Sequence, residues 1–166
     1  TLDVSGDLIA EADQGLTVTL SNPSSPSTIT TPSATGTITN DDISSVSLGL
    51  SPTAIEEDAS GVMTFILTRD NTTAETPALT VNFSTTGSAT PATDYVASAT
   101  GSVSFAAGNN TTTVTIDPAE DSTVEIDESV VRTLTSGRGY IVGAPNVATC
   151  NIINDDASTI SLAGAP

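Results

Sequence analysis

The feature that most constrains this chain is that it repeats itself. The stretch TGTITNDDISSVSL at 35–48 returns as TCNIINDDASTISL at 149–162, an offset of 114 residues. The same offset carries Asp7 to Asp121, Glu11 to Glu125 and Asp13 to Asp127 without a gap. Aligning 1–52 with 115–166 gives 17 identities in 52 positions, with acidic residues over-represented among them. A period this long means tandem domains, since solenoid and propeller units run to about 20–50 residues. Residues 46–156 then hold one complete unit, 1–42 the second half of a preceding unit, and 157–166 the opening of a following one. Half a domain cannot bury its own core, so the segment is expected to come from a longer array. The alternative is completion by strands from a neighbouring chain, which would make a homo-polymer.

Within the complete unit, apolar residues alternate with Thr and Ser over short runs. Leu79, Val81 and Phe83 alternate with Thr80, Asn82 and Ser84, and the pairs Val103/Phe105 and Val114/Ile116 follow the same rule. Such runs read as half-buried antiparallel strands. Seven are expected, at 46–50, 61–68, 78–84, 101–106, 111–117, 128–135 and 147–153, with Gly, Pro, Asn and Asp clustered between them. The fold class is all-β, a seven-stranded antiparallel immunoglobulin-like sandwich. Pro52 interrupts the first strand and marks where it frays or switches sheets. Arg132 stands in phase with Val130 and Leu134, where the earlier unit has Val18. A guanidinium there must snorkel, find a carboxylate or lie at a strand edge. Cys150, in phase with Ala148 and Ile152, reads as a small core residue.

Composition removes many chemistries. The chain has 3 Lys+Arg (all Arg), 20 Asp+Glu, no His and a net charge of -17. Without His there is no Ser-His-Asp triad and no imidazole metal site. Without Lys there is no Schiff base or phosphate-loop lysine. One cysteine makes neither an internal disulfide nor a thiolate zinc site. Three scattered arginines cannot neutralise a run of phosphates, so nucleic acid is not an expected partner. No stretch approaches 18 apolar residues, so no membrane insertion is expected, and no signal region opens the segment. The sequons at Asn71 and Asn110 are weak glycosylation signals in so Thr-rich a chain.

What remains in quantity is carboxylate oxygen, gathered at strand ends. Glu56-Glu57-Asp58 precedes the second strand. Asp94 lies between the third and fourth. Glu120, Asp121, Glu125, Asp127 and Glu128 lie between the fifth and sixth, and Asn154-Asp155-Asp156 closes the last. Alternating strand direction lets these ends share one pole, where carboxylates repel one another unless counter-charge is supplied. A hard cation answers that repulsion. Calcium, with about six to eight oxygens in flexible geometry, fits better than magnesium. The preceding unit keeps Asp7, Glu11, Asp13, Asp41 and Asp42.

Glu57-x-x-x-Gly61, Asp94-Tyr95, Glu120-Asp121-x-x-x-Glu125-x-Asp127-Glu128 and Asn154-Asp155-Asp156 together resemble the signature of the Calx-β domain. That family includes calcium-sensing domains of sodium–calcium exchangers, a β-integrin domain and tandem repeats of large bacterial surface proteins. The resemblance spans 46–156 and recurs in 1–42. It implies calcium ligands at Glu57, Asp94, Asp121, Glu125, Asp127, Glu128, Asp155 and Asp156, and more than one ion per unit. Glu120 stands where the family usually has Asp, and Asn154 where some members have a third Asp. The spacing leaves open whether Glu56 or Glu57 ligates.

The expected function is a calcium-binding structural or adhesive repeat of an extracellular, cell-surface protein, calcium ordering the domain ends and stiffening the array. Its partners would be neighbouring repeats of the same chain and a surface or matrix ligand not legible in the sequence. The alternative is a regulatory calcium sensor of a membrane transporter. Glu125 and Glu128 could be imagined as a glycosidase pair, but no Trp, two Tyr and three Phe offer little to line a sugar cleft, so no enzyme is expected.

Overall fold

The computed structural model describes residues 2–70, 72–73 and 76–164. Asn71 and the last two residues of 157–166 lie outside the described residues. The described residues form twelve strands: β1 (Gln14–Thr19), β2 (Ser33–Ile38), β3 (Ser44–Ser51), β4 (Ala54–Glu56), β5 (Met63–Arg69), β6 (Leu79–Gly87), β7 (Tyr95–Ala97), β8 (Ser102–Phe105), β9 (Thr111–Pro118), β10 (Glu128–Leu134), β11 (Tyr140–Val142) and β12 (Val147–Ile153). One sheet runs β4-β12-β10-β6-β8 and the other β11-β3-β5-β9-β7, and the two face each other as a sandwich.

All seven expected strands are present, but the described residues of the unit form ten. The extra three, β4, β7 and β11, are three residues each, too short for an alternation to register. β4 exists because the first strand does switch sheets. β3 pairs with β5 in one sheet, the chain breaks at Ser51 and Pro52, and β4 then joins β12 in the other. Proline has no N–H to offer a ladder, so the crossing falls where the missing donor costs least. This crossing also departs from a purely antiparallel scheme, because β4 runs parallel to β12 and β11 parallel to β3.

The core is the two inner faces interleaved. Met63, Phe65 and Leu67 of β5 meet Val81 and Phe83 of β6, Val114 and Ile116 of β9, Val130 and Leu134 of β10, and Cys150 and Ile152 of β12, all buried. Burying each large apolar side chain contributes roughly 1.5–3 kcal/mol. Cys150 is wholly buried, and burial pushes its thiol pKa up, as befits a core residue.

Arg132 departs from every expected arrangement. β10 is the central strand of its sheet, so Arg132 is not at an edge, and at 2% exposure it does not snorkel. Its Nη2 donates to Ala99 O at 3.2 Å and its guanidinium lies 4.4 Å from the Phe83 ring centroid and 5.1 Å from that of Phe65. Arg69, also buried, donates to three carbonyls, those of Asn109 (2.7 Å), Pro77 (2.8 Å) and Ala106 (3.1 Å). Tyr140 ties the β10–β11 arch to β6: its hydroxyl accepts from Asn82 N at 3.0 Å and donates to Thr135 O at 2.6 Å.

β1 and β2 form a separate hairpin whose residues map by the 114-residue offset onto β10 and β12. The corresponding side chains differ in burial. Leu16, Val18 and Leu20 are 36%, 45% and 60% exposed, whereas Val130, Arg132 and Leu134 are buried. Residues 157–164 carry no strand, and β3 begins at Ser44, two residues before its expected start, because β11 pairs with it from Ser44 onward.

Candidate metal centre

The parallel β4–β12 pair sets the acidic pole. It places Glu56 beside Ile153, immediately before Asn154-Asp155-Asp156, and Glu57 N donates to Ile153 O at 3.1 Å. Successive residues at a strand end point to opposite sides. Glu56 therefore groups with Asp58 and Asp155, and Glu57 with Asp121 and Asp156, the carboxylate oxygens of each trio lying within 4.8 Å of one another. A third trio joins Asp94, Glu125 and Glu128 at the same spacing. Asp94 is brought in by the turn before β7: its side chain accepts from Thr90 N, and its carbonyl accepts from Ala119 N at 3.0 Å, at the start of the acidic loop. Glu57, Asp94, Asp121, Glu125 and Glu128 line a cleft of about 10 Å³, room for about one water-sized sphere.

The crowding shows in the proton affinities. Burial raises the pKa of Glu57, and repulsion from Asp121, Asp156, Asp155 and Glu125 raises it further. Glu128 is pushed up to about 7, first by burial, then by a hydrogen bond with Asp94 and the charges of Asp94, Glu125 and Glu57. Asp155 is raised mainly by its hydrogen bond with Asp58. Arg69 and Arg132 are engaged elsewhere in the core, so this pole carries surplus negative charge held in fixed positions. All-oxygen donors at this density suit a hard divalent cation.

The loop is braced by four hydrogen bonds, and all four recur 114 residues earlier. Thr123 N donates to Asp121 Oδ1 (2.6 Å), as Ile9 N does to Asp7 Oδ1 (2.8 Å). Glu125 N donates to Asn154 Oδ1 (2.9 Å), as Glu11 N does to Asn40 Oδ1 (3.4 Å). Asn154 N donates to Asp127 Oδ1 (3.3 Å), and Asn40 N to Asp13 Oδ1 (2.9 Å). Asn154 Nδ2 donates to Asp156 O (3.0 Å), and Asn40 Nδ2 to Asp42 O (2.8 Å).

Of the residues expected from sequence, Glu57, Asp94, Asp121, Glu125, Glu128, Asp155 and Asp156 come together. Glu120 is exposed, neither it nor Asp127 falls in a trio, and one carboxylate oxygen of Asp127 accepts from Asn154 N. The question of Glu56 or Glu57 resolves into different trios for each. Asp58 was not foreseen, although residues 56 and 58 share a side of any strand end. Asn154 braces the loop with both ends of its amide. Its identity with Asn40, a non-acidic match amid acidic ones, was the available signal. In the earlier unit Asp7, Glu11, Asp41 and Asp42 line a shallow cavity of about 80 Å³, with Asp13 holding Asn40 N. No trio forms there among the described residues, and counterparts of Glu57 and Asp94 would fall before residue 1.

The Calx-beta domain model matches residues 39–156. Among solved structures, the apo form of the Calx CBD1 domain superposes with a TM-score of 0.53 at 23% identity, covering 67% of this chain and 98% of that one. CBD12 from CALX1.2 gives a TM-score of 0.53 at 25% identity, over 66% of this chain and 44% of that one. The calcium binding domain CBD12 of CALX1.1 gives 0.53 at 24%, over 67% and 44%. The chain thus spans under half the length of the two CBD12 structures. No curated protein matches by sequence.

Proposed function

Because this chain belongs to the Calx-beta domain family, we propose that its complete unit binds calcium at the acidic pole, with Glu57, Asp94, Asp121, Glu125, Glu128, Asp155 and Asp156 as ligands and Glu56 and Asp58 completing a peripheral position. The observation that carries this reading is the set of three carboxylate trios at adjoining strand ends. Three trios can share oxygens between neighbouring ions, so more than one calcium per unit is expected. Asp121 and Glu125, from one short loop, belong to different trios and bridge them.

Of two roles for such a site, calcium-dependent regulation has the stronger comparative support. The similar structures are domains of Calx, and one is described as a calcium binding domain. The second reading, a repeat stiffened by calcium in an extracellular array, is favoured by the recurrence of the same braced acidic loop at an offset of 114 residues. Affinity separates them: a sensor binds at roughly 10⁻⁷–10⁻⁵ M and an extracellular module at roughly 10⁻⁴–10⁻³ M.

The test is calorimetric titration of the chain with calcium alongside Asp121→Ala. Loss of binding in the variant with an unchanged metal-free melting curve is the expected result, because the site sits at strand ends outside the core. Unchanged binding in Asp121→Ala refutes the assignment.

A further inference from the structure

A second feature, separate from the acidic pole although Tyr95 directly follows Asp94, lies between the sheets at the flank where β6 faces β7. β8 pairs with β6 only over Leu79–Asn82, so from Phe83 onward that edge of β6 is bare of a strand. The 98–101 segment straps across it, held by Phe83 N donating to Gly101 O at 2.9 Å. Beneath lies a cavity of about 360 Å³ walled by Phe83, Thr85, Tyr95, Ala97, Gly101 and Arg132. That volume is within the range of about 300–1,000 Å³ usual for small-molecule pockets, and the walls are mainly apolar with one charged group, as such pockets are.

The charged group is the anomaly. Arg132 is 2% exposed, yet Nε and Nη1 have no hydrogen-bond partner and Nη2 has only the Ala99 carbonyl. Among the described residues, no carboxylate lines the cavity beside it to supply counter-charge. Stacking on Phe65 and Phe83 offsets only part of the cost of burying the charge. The repeat does not fix an arginine here, since the preceding unit has Val18 at the corresponding position. A buried cation with unfilled donors on the wall of an apolar cavity is a half-made ion pair.

We propose that this cavity binds a small organic monocarboxylate with an apolar body, its carboxylate pairing with the Arg132 guanidinium and its hydrocarbon lying along Phe83, Tyr95 and Ala97. The proposal stands apart from the calcium reading, and its test is run in calcium-free, chelator-treated buffer so that the two fail separately. The probe is hexanoate, followed by NMR at the amides of Ala97, Ala99 and Gly101. Saturable shifts are expected, with hexan-1-ol weaker by about tenfold or more, because a charge-assisted hydrogen bond contributes about 1.5–3 kcal/mol. Arg132→Met should abolish the preference for the acid. Thr85→Phe, which fills the mouth from an exposed position and leaves the core untouched, should weaken hexanoate whether or not Arg132→Met folds. Equal binding of acid and alcohol, hexanoate binding unaffected by Thr85→Phe, or no saturation up to about 50 mM hexanoate overturns the proposal.

Discussion

Replacing Asn154 with Ala isolates the bracing of the acidic loop from its ligands. The change deletes the Glu125 N bond to Oδ1 and the Nδ2 bond to Asp156 O, and leaves the backbone bond from Asn154 N to Asp127 in place. A net protein hydrogen bond contributes about 0.5–1.5 kcal/mol, and these two are partly solvated, so the pair amounts to about 1–2 kcal/mol. That energy orders the loop and not the sandwich core. The melting temperature of the metal-free protein should therefore move little, while calcium affinity falls by about 5- to 30-fold as the bound state takes on the cost of ordering the loop. The number of ions bound should not change, because Asn154 positions ligands and is not one. Calorimetric titration reports affinity and stoichiometry together. An affinity within twofold of the parent refutes the bracing argument, and the loss of one ion per unit would make Asn154 a ligand.

Three further predictions concern the frame and its protons. Gly87→Ala at the end of β6 should destabilise by about 3 kcal/mol or more, read as a fall in the urea midpoint: φ is +131° and the new Cβ would lie 2.1 Å from Ser129 O. Tyr140→Phe should cost about 2 kcal/mol by the same measurement, since it strands Asn82 N and Thr135 O; no loss would mean that water replaces the hydroxyl. The metal-free protein should lose thermal stability as pH rises from about 4.5 to about 7. Over that window the unfolded chain ionises Glu128 while the folded chain, with Glu128 raised from 4.5 to about 7, keeps it protonated. Saturating calcium should cancel that slope, so a melting temperature that falls with pH equally in calcium and in chelator would contradict the site.

The parts legible in the sequence were those with a period. Long strands such as Met63–Arg69 and Thr111–Pro118 alternate over enough residues to be read directly, and the offset of 114 fixed where the acidic loop recurs. Strands of three residues have no period, and missing Ala54–Glu56 had a consequence at the site. Without it, Glu56, Glu57 and Asp58 could not be assigned to sides. Asp127 matches a ligand in type and spacing, and its role as an acceptor for Asn154 N depends on a loop conformation that no pattern encodes. Arg132 illustrates the opposite limit: its phase correctly placed it inward, but no sequence rule supplies two phenylalanine rings and a carbonyl from the 98–101 segment.

The parallel pairing of β4 with β12 also determines how the domain bears load. A pull on the two ends of the complete unit loads β3 first and, once β3 has given way, drags β4 from its N-terminal end and β12 from its C-terminal end. Because these neighbours point the same way, the force acts along the strands, and the ladder from Ala54–Asn151 to Glu56–Ile153 must slide as a block rather than unzip one bond at a time. The carboxylates that meet across this pair, Glu56 and Asp58 with Asp155, and Glu57 with Asp156, sit at the end of the same ladder. An ion held between them would rivet the joint that resists sliding, and an applied tension would read the calcium concentration as a change in rupture force.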